Sequence, residues 1–227
     1  MDEVVVYYGE MRNLPIEEPK LLLSDLSKND EIFDKNIVKC PSVKNFLKNT
    51  FIVYPNSDYE IEYTLSGIKS SFYDQKFFDK NVLCRDNTKG FVSYKEPEIL
   101  FFADENTLNL ELLLPFFHSL SAELKFIPGV FNIGKHLRPL ELPIVFNKPS
   151  VLQIFRENPL YYVKFLTTRK IKLKRFMVTK ELTDLYVNMV YLRGKTKKTL
   201  NLEFYYDLVE KIKYKKKYLS IIKQNLF

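Results

Sequence analysis

Apolar positions along this chain come in short bursts separated by turn residues, a rhythm that predicts strands before helices. The first burst, residues 3–8 (EVVVYY), is β-branched and aromatic and predicts a strand. Residues 11–36 show no period, carry Pro15 and Pro19, and include the loop-forming stretch Ser24–Asp30; they predict an extended connector laid over a core. Cys40–Asn49 predicts a short helix, with Pro41 at its first position and Val43, Phe46 and Leu47 on one face. Thr50–Tyr54 predicts a strand that Pro55–Asp58 ends. Tyr59–Leu65 then alternates, Tyr59, Ile61, Tyr63 and Leu65 on one side and Glu60, Glu62 and Thr64 on the other, as a half-buried antiparallel strand does.

The middle of the chain predicts more strands, at 98–103, 108–114, 122–127, 141–146, 151–156, 160–167 and 170–176. Asp104–Asn106, Pro128–Gly129, Asn147–Ser150 and Glu157–Pro159 supply the turns between them. Many short strands without long helices among them argue for a mainly β fold, a two-sheet sandwich or jelly-roll-like core, and against a doubly wound α/β sheet. The period changes near the C-terminus. Thr179 predicts the cap of a helix reaching Tyr191, with Leu182, Leu185, Tyr186 and Met189 as its stripe. A longer helix is predicted from Asn201 to Leu226, on Leu202, Tyr205, Val209, Ile212, Leu219 and Leu226. The expected organisation is a β-rich core domain over 1–177 and a basic C-terminal α-helical hairpin over 178–227, packed on that core or on a partner.

Composition narrows the chemistry. The 227 residues are 46% hydrophobic and 15% aromatic, enough to build a core and too apolar for wholesale disorder. No run of eighteen apolar residues predicts a membrane span, and the acidic Met1–Glu3 start lacks the basic and apolar regions of a signal peptide. Two Cys and two His exclude a disulfide scaffold and a four-ligand zinc finger. The net charge of +7 is uneven: Lys164–Phe227 holds 17 Lys/Arg against 5 Asp/Glu, and the rest holds 18 against 23. A basic third on a mildly acidic body suits an anionic partner or is simply a lysine-rich surface.

No catalytic constellation stands out, and the reading assigns no cofactor, no metal site and no catalytic residue. His118 lacks the carboxylate two residues on that a two-histidine iron site takes, that position being Leu120. Cys84 beside Arg85 has a cation to favour its thiolate, although a lone Cys on a β segment is more often buried and inert. The carboxylate pairs Glu60/Glu62, Glu96/Glu98 and Asp104/Glu105 fall on alternating strands or in turns, where solvated acids are expected.

Two segments remain. Pro128–Pro139 holds Gly129, Gly134, Lys135, His136 and Arg138; its amides and cations would suit an anion or sugar, or it is a structurally demanding connection that Arg138 braces. Arg169–Phe176 places Lys170, Lys172 and Lys174 on one strand face. With Tyr161, Tyr162, Lys164 and Phe165 before it, and Lys215 and Lys216 in a second cluster, it sketches a nucleic-acid surface of phosphate contacts and stacking rings. Lysines that guard an exposed edge strand give the same pattern.

Three stretches, Lys39–Phe51, Ile127–Leu140 and Pro159–Phe165, together resemble a family of uncharacterised proteins encoded by T4-like cyanophages and other marine tailed phages. The resemblance covers roughly residues 38–177, implies a phage origin and carries no activity with it. Family members tend to have an aromatic residue where this chain has His136. The expected function is therefore noncatalytic: a phage structural or protein-interaction protein, in the virion or the host cytoplasm, with another protein or a second copy of itself as partner. Nucleic-acid binding and an enzyme built on the 128–139 loop are the alternatives.

Overall fold

The continuous apolar runs become strands buried on both sides. In the computed structural model, which describes residues 3–28, 39–118, 124–135, 137–196 and 214–227, β1 (Glu3–Glu10) lies between two partners. It runs parallel to β15 (Lys170–Arg175), with Val4 opposite Ile171, and antiparallel to β8 (Ile99–Ala103), with Tyr8 opposite Phe101. Successive strand residues point to opposite faces. Val4, Val6 and Tyr8 therefore enter the main core with Phe101 and Ala103, while Tyr7, Leu100 and Phe102 enter a second core behind it.

β3 (Thr50–Val53) and β14 (Tyr161–Phe165) repeat the arrangement in a five-stranded sheet of order β11–β9–β14–β3–β2, where β2 is Lys20–Leu21, β9 Asn109–Leu113 and β11 Gly129–Asn132. Phe51, Val53, Tyr161, Val163 and Phe165 face the main core. Ile52 and Tyr162 face a third cluster, which α1 (Leu22–Leu26) and α2 (Pro41–Leu47) cover with Leu22, Leu26 and Leu47. A four-stranded sheet joins β10 (Leu124–Phe126), β12 (Leu142–Phe146), β7 (Phe91–Tyr94) and β6 (Val82–Asp86). A three-stranded sheet joins β13 (Ser150–Ile154), β4 (Tyr59–Thr64) and β5 (Gly67–Lys69). The fold is mainly β, with several sheets lending one face each to a shared core and helices at the C-terminus.

The C-terminal helices pack on the outer face of β1 and β8. Thr179 caps α4 (Lys180–Thr196), its hydroxyl accepting from the Leu182 amide at 3.3 Å. Leu182, Leu185, Tyr186 and Met189 reach the second core, as the stripe predicts. In α5 (Tyr214–Gln224) the buried residues are Tyr218, Ile221 and Ile222, with Leu219 and Leu226 of the predicted line partly buried against the same core, and the Tyr218 hydroxyl donates to the Leu185 carbonyl at 3.2 Å. The predicted Leu202–Ile212 part of that helix lies outside the described residues. The 11–36 connector also needs correcting, since it contains β2 and α1. Residues 67–94, for which the pattern predicted nothing, hold β5, β6, β7 and α3 (Gln75–Asn81), whose cap is Asp74 accepting from the Phe77 amide at 2.9 Å.

Candidate functional site

The β13–β4–β5 sheet carries a hollow of about 320 Å³ at the β13 and β4 ends where Ile154 faces Tyr59. Tyr59, Phe72, Tyr73, Ile154 and Phe155 give it apolar walls, and Asp58, Glu60 and Gln153 give it polar ones. Tyr73 stacks on Tyr59 with ring centroids 4.7 Å apart, and Phe77 of α3 lies beside the pair, 4.7 Å from Tyr73 and 6.3 Å from Tyr59. The Tyr73 hydroxyl donates to the Asp58 carbonyl at 2.7 Å, which fixes the ring. Phe72, by contrast, is 71% exposed at the mouth. Asp58 accepts the Arg156 amide at 2.7 Å through Oδ1, and Glu60 accepts the Ser71 hydroxyl through Oε1. Glu60 is 9% exposed, so the expectation of solvated acids fails here. Among the described residues no Lys or Arg lines the hollow.

Behind the Tyr59 ring lies a buried charged network. Tyr59 packs against Tyr94, whose hydroxyl donates to Glu96 at 3.3 Å. Glu96 also accepts from the Ser57 hydroxyl at 3.1 Å. Arg12 reaches Glu10, Glu96 and Glu98 at 3.6, 3.9 and 3.7 Å and donates to the Asn81 carboxamide at 2.9 Å. Glu10 and Glu96 are 3% and 5% exposed, again against the expectation for the Glu96/Glu98 pair. Burial raises the Glu10 carboxyl, while the Leu14 and Arg12 amides and the Arg12 charge pull it down. The network ties the end of β1 to α3 and to the β7–β8 turn. It positions the rear wall of the hollow, and no sequence pattern pointed to it because Glu10 and Arg12 lie far along the chain from Asn81, Glu96 and Glu98.

In its described residues the 128–139 segment is packed and paired as a connection between strands. Part of it is β11, paired with β9. The Asn132 carboxamide oxygen accepts the Gly134 and Lys135 amides at 3.0 and 2.9 Å, so these two amides are not open to an anion. Ile133 exchanges backbone bonds with Leu108 and Ala103. Gly134 is buried against the Glu105 backbone, Gly129 is half-buried beside the Phe131 ring, and Lys135 is exposed. Arg138 pairs with Glu141 at 3.6 Å, the same carboxylate that Arg85 binds at 2.6 Å. His136 lies outside the described residues.

The proposed nucleic-acid face does not assemble. Tyr162 is fully buried and shares a 2.5 Å hydrogen bond with His118; Tyr161 and Phe165 are core residues, so no stacking ring is left on that strand. Lys164 lies over the Phe46 ring at 4.1 Å on a different sheet from Lys170, Lys172 and Lys174. β15 is an edge strand, and Lys170 pairs with Glu3 at 3.1 Å. Lys172 is exposed and Lys174 half-buried. Lys215 donates to the Asp104 carbonyl at 2.6 Å, anchoring α5, whereas Lys216 is exposed.

Both thiols are exposed, which corrects the expectation of a buried Cys84. Partial desolvation of the Cys84 sulfur by its neighbours and the Asp79 charge push its thiol up, while Arg85 is turned to Ser93 and Glu141. Among the described residues no three His, Cys, Asp or Glu side chains cluster as metal ligands, and no helix is long and apolar enough to cross a membrane. These features define a mainly β, multi-sheet protein with one aromatic, acid-lined hollow as its candidate site. Comparison of the chain with family models, curated proteins and solved structures finds no match in any of the three.

Proposed function

We propose that this chain is a noncatalytic protein-interaction protein that docks a protein partner over the hollow walled by Phe72, Tyr73 and Phe155. The observation that carries the reading is Phe72, a large ring 71% exposed at the mouth of a concave aromatic surface. Exposed aromatics that rim a hollow are typical of interface anchors, because a ring buries much area while losing little side-chain freedom. The ring stack behind it and the Arg12 network make the surface rigid, and rigidity lowers the cost of binding. The resemblance of residues 38–177 to tailed-phage proteins supports a place in the virion or in the infected cell.

A photoreactive benzoylphenylalanine at position 72 tests the reading, with position 180, an exposed lysine site on α4, as control. In infected host cells, irradiation is expected to give one discrete adduct from position 72 and none from position 180. Mass spectrometry of the adduct identifies a virion protein, a host protein or a second copy of the chain. The absence of an adduct from 72, or the same adducts from both positions, overturns the proposal.

A further inference from the structure

The polar lining of the hollow has a sign. Asp58 and Glu60 contribute two carboxylates, the rings contribute their electron-rich faces, and no cation stands among the lining residues. Each carboxylate gives one oxygen to the protein, Asp58 to the Arg156 amide and Glu60 to the Ser71 hydroxyl. The second oxygen of each has no hydrogen-bond partner among the described residues. A protein of net charge +7 thus keeps a local acidic recess between aromatic walls. Aromatic faces attract cations through the ring quadrupole, and a nearby carboxylate adds a charge-assisted hydrogen bond.

We infer that the hollow receives the guanidinium of an arginine side chain from the docked protein partner. The inference rests on the docking surface proposed above and gives that surface its chemistry. Arginine fits better than lysine: its planar head stacks on Phe72 or Tyr73 while its donors reach the free oxygens of Asp58 and Glu60. A partner segment presenting arginine is thereby selected against one presenting an acid, which would meet two carboxylates.

The test uses the full chain and small blocked peptides, acetyl-Gly-Arg-Gly-amide, its Lys and Glu counterparts, and tetramethylammonium. Aromatic-region NMR follows the rings of Phe72, Tyr73 and Phe155 during titration. The Arg peptide is expected to saturate in the millimolar range, the Lys peptide to bind more weakly, and the Glu peptide to shift nothing. Phe72→Ala is expected to weaken the Arg peptide roughly 3- to 10-fold, with an unchanged melting temperature because the ring is mostly solvated. Glu60→Gln should weaken it as well, and added salt should do so in the wild type. Equal shifts from the Glu peptide, or an Arg affinity indifferent to both substitutions, overturn the inference. Tighter binding of tetramethylammonium than of the Arg peptide also overturns it, pointing to a small quaternary amine instead. If crosslinking at position 72 succeeds while the Arg peptide fails, the docking surface stands and only its cationic specificity falls.

Discussion

Gly134 and Glu105 are in such close contact that a Cβ on Gly134 would fall inside the Glu105 carbonyl oxygen. Both atoms belong to backbone, so neither side can yield by turning a side chain. Gly134→Ala is expected to cost about 3 kcal/mol or more of folding stability. Gly129→Ala, whose Cβ would meet only the Phe131 ring, should cost less than about 1 kcal/mol. Urea unfolding of the two variants separates them, and a Gly134→Ala midpoint equal to that of Gly129→Ala would refute the brace.

Tyr162 links the third cluster to His118. Phenylalanine in its place keeps the packing and loses the hydrogen bond, for a cost near 1 kcal/mol. Alanine removes the ring from a closed core and should cost about 3–5 kcal/mol. Neither substitution should change binding to single-stranded DNA at any salt concentration. Wild-type DNA binding by Tyr162→Phe together with weaker binding by folded Tyr162→Ala would restore the stacking surface that the structure dismantles.

The two thiols differ in environment. Cys40 sits at the start of α2, where the Val43 and Ser42 amides lower its pKa, while burial raises that of Cys84. The thiolate is the reacting species. Iodoacetamide at pH 7.5 is therefore expected to modify Cys40 several-fold faster than Cys84, as peptide mass spectrometry of partly alkylated protein would show. Faster loss of Cys84 would contradict the assigned environments.

Glu10 should make stability depend on pH. Its carboxyl is raised on folding above the ordinary value of 4.5, chiefly by burial. The folded chain therefore takes up this proton before the unfolded chain does. Stability from this group grows as pH falls from neutral toward 4.5 and is lost as pH rises. Glu10→Gln keeps an acceptor for the Leu14 and Arg12 amides and removes the titration. Wild type should gain on the variant between pH 7 and pH 5 in urea midpoints. The opposite trend would mean that the Arg12 charge, and not burial, governs the carboxyl.

Much of the fold was legible because its strands are apolar in a way that reports their depth. EVVVYY and ILFFA are continuous runs, and both strands are covered on two faces; Tyr59–Leu65 alternates, and β4 sends Tyr59 and Ile61 into the main core, but Leu65, predicted on that side, lies 92% exposed beyond the end of the strand. Strands between two cores need no polar side. What stayed hidden lay where local composition and tertiary role diverge. Residues 75–81 (QKFFDKN) have no helical stripe, and only Asp74 signalled the cap of α3. Tyr162 and Lys164 sit two apart on one strand, which placed them on a common surface, but α1 and α2 close over Tyr162 and leave Lys164 at the rim. The hollow draws on residues 58–60, 72–73 and 153–155, which only the pairing of β13 with β4 brings together. Glu60 was visible as one of a carboxylate pair, yet its burial was not, since alternation alone assigns it to solvent. The β1–β15 pairing was equally out of reach, because register between distant strands is set by the whole core.

That pairing also shapes how the chain acquires its structure. β1 is synthesised well before its parallel partner β15, which begins at Lys170. At ~5–20 residues per second, an apolar ribbon with two sticky faces waits on the order of ten seconds or more for the neighbour that completes it. Until then it is exposed to every other nascent strand in the cell, and closing so long a loop slows the final step. A ribosome-bound chaperone is thus expected to matter more to the yield of this protein than to its final stability.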